Sequence, residues 1–301
     1  MKNAIQYYYK MNPINIHQIN KKYRFEYQNK KYILYQYERK MEDLSEIYEL
    51  HSYLNYVGIY CHKIIKNINN DILTMINNNY YILLYVNIEN RKIDIKDIEY
   101  LSNIKIEEER YKKINRKEWD ILWANKIDYL EYQISQFGKK YKLIRESSDY
   151  YIGIVENCIS LMTNYRYNTI KSITHERINK NMEVEEFYNP LNFIIDNRIR
   201  DISELLKSNI NTNNNIIPDL EKYINNNNIN EKEIGLIFIR ILYPSIYIDK
   251  CESILNKTHD EQDIKKIISN TEMLEKNLKQ IYRYLKTKYT LPEIEWLKKS
   301  E

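Results

Sequence analysis

The sequence predicts an α+β protein, with a small antiparallel β-rich lobe over residues 1–88 and a large α-rich lobe over 89–301. Three observations carry this expectation. Aromatic and β-branched residues crowd 22–38 and 80–88, as strands require. Beyond residue 90, apolar residues recur mostly at helical spacing. One short apolar run, Leu191 to Ile195, interrupts the helical part and stops at Asp196.

Taken in order, KYRFEYQNKKYILYQYE (22–38) reads as a hairpin broken at Gln28-Asn29-Lys30. Leu44, Ile47, Leu50, His51, Leu54 and Val57 follow at helical spacing, with Gly58 at the C-cap. His51 lies on that stripe and is expected in the core or at its rim. YYILLYVNI (80–88) reads as a buried strand. Residues 92–114 mix many charges with spaced Ile and Leu, the pattern of a surface helix. Trp119, Leu122, Trp123, Ile127, Leu130, Ile134 and Phe137 form one stripe that Gly138 ends, the clearest helix in the chain. Ile152, Val155, Cys158, Ile159 and Met162 repeat the pattern over 149–163, with Ser147 and Ser148 as candidate caps. Asn230-Glu231-Lys232-Glu233 reads as a capping box before Ile234 to Tyr243, which Pro244 stops. Residues 260–286 read as one long amphipathic helix.

Composition narrows the function classes. With 301 residues, 43% hydrophobic and 29% charged, the chain is globular rather than disordered. A net charge of +4 gives no reason to invoke nucleic acid or a membrane surface. No apolar run approaches the roughly 20 residues of a membrane span. Met1-Lys2-Asn3-Ala4-Ile5-Gln6 does not read as a signal peptide. Cys61, Cys158 and Cys251 lie far apart with no CxxC spacing, so neither a zinc site nor a disulfide framework is expected. The expectation is a soluble protein of a reducing compartment. The 31 Tyr, set among Asn-, Ile- and Lys-rich loops, point to AT-rich codons more than to stacking platforms for nucleic acid.

The densest polar chemistry lies in 172–208. His175-Glu176-Arg177 forms a polar turn, and Asp196, Arg198, Arg200 and Asp201 follow the apolar run. A buried strand that delivers a carboxylate to a loop is a common place for catalytic groups. Read from these residues alone, a salt-bridge cluster at a strand end is the preferred account.

Six segments add to this: Trp119-Asp120-Ile121-Leu122-Trp123, Asp128 to Gln133, Thr174-His175-Glu176-Arg177, Asp196 with Arg200 to Glu204, Arg240 to Pro244, and Leu291 to Leu297. In their order and spacing they resemble the spore-coat CotS/YutH family, on its YutH side, over nearly the whole chain. That family is a branch of the aminoglycoside-phosphotransferase-like kinases. The resemblance implies a bilobal protein-kinase-like fold, with the catalytic loop inside 173–206. It also implies ATP and Mg2+ as cofactors if the chain is active, other spore-coat proteins as partners, and a spore-coat or cytoplasmic location. The alternative is an active ATP-dependent phosphotransferase with a rearranged site using His175, Glu176 and Asp196, acting on a hydroxylated small molecule that the sequence does not identify.

Set against such a kinase, the parts are incomplete. Phosphoryl transfer needs positioning and charge neutralisation from a few fixed groups. No Gly precedes Gly58 to form a phosphate loop, and Gln28-Asn29-Lys30 is a poor substitute. By the resemblance, the phosphate-binding Lys position falls on Tyr35 or Gln36, with Lys31 and Lys40 at the strand ends. Glu46 or Glu49 would be the helix acid. His175 matches the catalytic-loop His, but Arg177 stands where an Asp should act as base, and a guanidinium stays protonated. Asp196 matches a magnesium ligand, with Asn179, Asn181 or Asn192 as candidates for a second oxygen. Asp201 matches an acid that holds the catalytic loop. The expectation is a pseudokinase in which His175 is buried and bonded to backbone, and in which Arg177 or Arg200 pairs with Glu176, Asp196 or Asp201. Should Asp196 be buried without metal, one of these arginines would take the metal's place.

Overall fold

The computed structural model describes residues 1–165, 170–210 and 215–298. In chain order the first elements are α1 (Lys2–Tyr9), β1 (Ile16–Ile19), β2 (Lys22–Tyr27), β3 (Lys30–Gln36) and α2 (Leu44–Tyr56). Next come β4 (Lys63–Ile65), β5 (Thr74–Ile76), β6 (Asn79–Val86), α3 (Ile95–Ser102), α4 (Trp119–Phe137) and α5 (Lys142–Met162). Then follow β7 (Lys171–His175), α6 (Val184–Phe187), β8 (Phe193–Asn197), α7 (Arg200–Ile210) and α8 (Ile217–Asn226). The last are α9 (Glu231–Leu242), α10 (Ser245–Leu255), α11 (Gln262–Ser269), α12 (Thr271–Lys288) and α13 (Glu295–Lys298). None of these helices is long and apolar enough to cross a membrane.

The chain forms two compact units. The first joins Met1–Ile93 with Ile106–Asn115 and Asn181–Ile195; the second joins Asp94–Lys105, Arg116–Lys180 and the segment from Asp196 onward. The first unit is built on an antiparallel sheet of order β1-β2-β3-β6-β4, with β5 paired to β6. Its hairpins turn on Asn where Gly is usual. Gln28 and Asn29 have φ of 50° and 57°, and Asn77 and Asn78 have 49° and 63°. Two consecutive positive φ values match the twist of a tight hairpin, and Asn tolerates them best after Gly. This gives part of the Asn abundance a structural role. Phe25, Tyr32, Leu34, Tyr81 and Leu83 bury one sheet face with Ile5 and Tyr9 of α1. Across the β2–β3 ladder Lys22 pairs with Tyr35 and Arg24 with Ile33, so these four share the opposite face.

In the second unit α9 is buried along its whole length from Glu233 to Leu242. Asn230 and Glu233 form the expected capping box, each side chain accepting from the other's backbone N–H. A Cβ on Gly235 would lie 2.3 Å from the hydroxyl oxygen of buried Tyr165. Gly235→Ala is therefore expected to destabilise by roughly 1–3 kcal/mol through overpacking, although Ala is the better helix former by about 1 kcal/mol. Thermal unfolding in a Tyr165→Leu background checks this, because the same change should there become neutral or favourable.

Several elements differ from the sequence expectation. The charged stretch 92–114 is α-helical only over Ile95–Ser102, where Asp94 and Asp97 form a capping box, with one 3-10 turn at Glu108–Arg110. The helix expected over 149–163 begins at Lys142, so Ser147 and Ser148 lie inside it. Ser147 instead donates to the Leu143 carbonyl, 2.7 Å away. The helix expected over 260–286 is two helices that meet at Asn270. The apolar run at Leu191 opens as a short 3-10 turn, Pro190–Asn192, which Asn189 caps. The strand proper starts at Phe193 and contains Asp196. The short strands β1, β4, β5 and β7 were not expected.

Candidate functional site

Each unit carries a cluster of the expected site residues. In the second unit the cluster is set by the passage from β8 into α7. Asp196 is the last residue but one of the strand, and Arg200 opens the helix one turn later. That spacing puts the guanidinium on the carboxylate, with Arg200 Nη1 donating to Asp196 Oδ2 at 2.6 Å. Asp196 is 1% exposed. Its Oδ1 also accepts from the Asn197 N–H at 2.7 Å, and the Trp119 indole N–H reaches both carboxylate oxygens at 3.1 Å. Arg200 spends its other nitrogens on the polar turn. Nε donates to the His175 carbonyl at 2.9 Å, and Nη2 to the Glu176 carbonyl at 3.1 Å. Burial works against the charge on Arg200, but Asp196, Glu204 and Asp201 outweigh it and hold its pKa above the ordinary value.

Asp201 holds the start of the same turn. Its carboxylate accepts from the His175 backbone N–H at 3.0 Å and from Nδ1 at 2.6 Å. A carboxylate can only accept, so Nδ1 carries the proton. Nδ1 of buried His175 is thus anchored on this acid. Behind Arg200 a second layer of charge is closed. Glu204 accepts from Lys207 at 3.0 Å and from Arg240 at 2.6 Å. Burial would raise the Glu204 pKa; Lys207, Arg240 and Arg200 overcome it and bring it down to about 2. Arg240 lies 4.7 Å from the Trp119 ring and 5.6 Å from that of Trp123. The role of Trp119 escaped the sequence reading. The available signal was its type, since a buried indole N–H needs an acceptor.

Arg177 does not reach the carboxylates of this knot. It is 67% exposed at its side chain, pairs with Asp249 at 3.1 Å and donates to the Glu176 main-chain carbonyl at 3.4 Å. Glu176 pairs with Arg116. The other expected parts lie in the first unit. Tyr35 donates to Glu186 Oε1 at 3.0 Å. Lys22, across the ladder from Tyr35, also pairs with Glu186, and Arg24 Nε donates to Glu185 at 3.0 Å. Lys22 thus brings an ammonium to the position where Tyr35 itself has none, but two carboxylates of α6 already hold it. Burial pushes the Glu186 pKa up, and Lys22, Tyr35 and Asn192 more than reverse this. Burial, reinforced by Glu186 and Glu185, drives the Tyr35 phenol far above its usual value.

Glu46 accepts from the backbone N–H groups of Lys113 and Ile114, and Glu49 pairs with Arg110, so neither candidate helix acid meets a strand lysine. Gln36 donates to Asn79, Lys40 pairs with Glu42, Asn181 accepts from Lys92, and Asn192 donates to Glu186. Lys31 lines a cleft of about 580 Å³ with His17, Arg24, Ile33, Val86 and Asn90. Lys22, Arg24, Glu185 and Glu186 were missed as a set. Their only local signal is the period-two placement of charge on β2.

The residues as placed do not fit a magnesium ion. A hard cation needs several oxygen ligands. The oxygens of Asp196 already accept from Trp119, Asn197 and Arg200, and a guanidinium stands against the carboxylate. Among the described residues no group of three His, Cys, Asp or Glu side chains is arranged to hold a metal.

Over residues 2–287 the sequence matches the family described as "Spore coat putative kinase YutH". Among solved structures, an aminoglycoside phosphotransferase from Alicyclobacillus acidocaldarius subsp. acidocaldarius DSM 446 is similar, at 9% identity and a TM-score of 0.70, over 95% of this chain and 96% of that one. The AMP-bound spectinomycin phosphotransferase gives 12% and 0.62, over 93% and 96%. A choline kinase from Streptococcus pneumoniae gives 10% and 0.56, over 91% and 96%. At such identities the likeness establishes the fold. It is that of the aminoglycoside-phosphotransferase-like kinases, with a small β-sheet N-terminal region and a helical C-terminal one. Comparison with curated proteins finds no match.

Proposed function

The chain belongs to the spore-coat YutH family of kinase-like proteins, and on that premise we propose that it is a pseudokinase with a structural or assembly role in the spore coat. One observation carries the reading: Asp196, the position of the metal-binding acid, is buried and neutralised by Arg200 at 2.6 Å. A carboxylate so paired has no reason to recruit a cation. Arg177 stands where a general base would be and cannot accept a proton at any ordinary pH. Lys22, the cation nearest the phosphate-lysine position, is held by Glu186. With the chemistry closed off on these counts, a stable surface for other coat proteins is what the fold retains. The family name supports the coat as location and coat proteins as partners.

One observation favours a second reading, an ATP-dependent phosphotransferase of a hydroxylated small molecule with a rearranged site using His175, Glu176 and Asp196. It is the cleft of about 580 Å³ on the first unit, of a size ordinary for small ligands and lined by Arg24 and Lys31, though not by His175, Glu176 or Asp196. Thermal unfolding with and without millimolar ATP and Mg2+ separates the two. Ligand at 100 times its Kd would add about 2.7 kcal/mol. At roughly 2–4 °C per kcal/mol that is a rise of about 5–11 °C. No magnesium-dependent rise is expected with ATP or GTP. Such a rise, with ATP turnover that Asp196→Ala abolishes, would establish the second reading instead.

A further inference from the structure

The second unit contains another cavity, of about 410 Å³, that the reading above does not use. Ile241, Pro244 and Ile246 line it where α9 passes into α10, with Ile267 and Leu274 from α11 and α12. Tyr151 and Tyr247 stack there, ring centroids 3.7 Å apart. Their hydroxyls bond to Thr271 and Ser147 at 2.8 and 2.7 Å, so the rings are what they offer the cavity.

The wall is not apolar throughout. Lys207, 5% exposed, lines the cavity. Its ammonium donates to Glu204 at 3.0 Å and to Ser245 Oγ at 3.3 Å. An ammonium has three hydrogens to place, and beyond Glu204 and Ser245 the third meets no oxygen acceptor among the described residues, only the Tyr243 ring 5.7 Å away. Burial lowers the pKa of this lysine to about 8 against the opposing pull of Glu204, so its charge is poorly solvated. Glu204 offsets Lys207 only in part, because Arg240 shares it. Lys250 and Lys266 also line the cavity, against one acid, Asp263, 3.8 Å from Lys250. The lining is left with a net positive charge.

We propose that this cavity binds a small amphipathic monocarboxylate, its apolar body against Ile241, Ile267 and Leu274 and its carboxylate accepting the third hydrogen of Lys207. A negative charge offsets the positive lining, and an oxygen acceptor completes the buried ammonium. A volume of this size suits a medium-length chain or an aryl group rather than a polymer. A cation of the same shape would meet three lysines. The inference stands whether or not nucleotide binds elsewhere in the chain.

Calorimetric titration of the full chain with decanoate, below its micelle concentration, tests it. Decanol and decyltrimethylammonium serve as neutral and cationic controls. Decanoate is expected to bind, decanol about tenfold or more weakly, and the cation not at all. Lys207→Met should weaken decanoate by about 10- to 100-fold, the size of one lost charged hydrogen bond, and leave decanol unchanged. Should that variant fail to fold, Ile246→Trp, at a position 45% exposed, should fill the mouth and abolish decanoate binding with an unchanged melting midpoint. No binding of decanoate at millimolar concentration overturns the proposal. So does decanol binding equally well, or undiminished decanoate binding by a folded Ile246→Trp.

Discussion

Arg200→Ala is expected to lower the stability of the second unit by about 3–5 kcal/mol, the usual effect of stripping one partner from a buried ion pair. The guanidinium serves three acceptors at once: Asp196 and the carbonyls of His175 and Glu176. Its loss strands a carboxylate that is 1% exposed. Trp119 and Asn197 would still donate to that carboxylate, but neither carries charge, and an unpaired buried charge outweighs what neutral hydrogen bonds return. The double variant Asp196→Leu/Arg200→Met should cost less than the sum of its single changes, because it removes the charges together. Urea denaturation midpoints at constant slope give these energies. If Arg200→Ala stays within about 0.5 kcal/mol of the parent, Asp196 is not held by Arg200 and the case for a pseudokinase loses its main support.

The first unit is expected to be acid-labile well above the carboxylate range. His51 and His62 are both buried, and desolvation brings the pKa of each from 6.5 down to about 4. His62 fits its site as the neutral ring. Nε2–H donates to the Glu185 carbonyl at 2.8 Å, and Nδ1 accepts from the Tyr60 hydroxyl at 3.1 Å. His51 accepts the Ile64 N–H at Nε2, and its Nδ1 has no partner. Both rings are therefore neutral when folded and protonated more readily when unfolded. Their stabilisation is complete above pH 6.5 and is lost as pH falls toward 4. Each contributes on the order of 3 kcal/mol over that window. Denaturant unfolding between pH 7 and pH 4.5 should show a proton uptake on unfolding that approaches about two. His51→Gln and His62→Gln should each remove about one of them. A pH slope that neither substitution changes would show that these rings are not the source of the acid sensitivity.

Much of the fold is legible from local pattern. Runs dense in aromatic and β-branched residues mark β2, β3 and β6, and the stripe from Trp119 to Phe137 marks α4, because so much apolar surface must find the core wherever the rest of the chain goes. The capping box of Asn230 and Glu233 is equally local, since its partners lie three residues apart. The break at Asn270 and the early start of α5 were not legible. Helix ends depend on what covers them, and flanking polar residues are compatible with either reading.

The candidate site divides along the same line. By resemblance the sequence alone picked out His175, Arg177, Asp196 and Asp201, and led to the expectation that base and lysine are missing from their places. It could not say which arginine would reach Asp196. The helix that opens at Arg200 settles that, putting one guanidinium a single turn from the acid while Arg177 turns to Asp249. Nor could it bring Glu185 and Glu186 to Lys22 and Arg24, more than 160 residues earlier in the chain, or the Trp119 indole to Asp196. Pairings over such separations have no local period to announce them. They exist because folding has already met the entropy of closing the long loops between them, and only the tertiary structure decides which charges share a dry site.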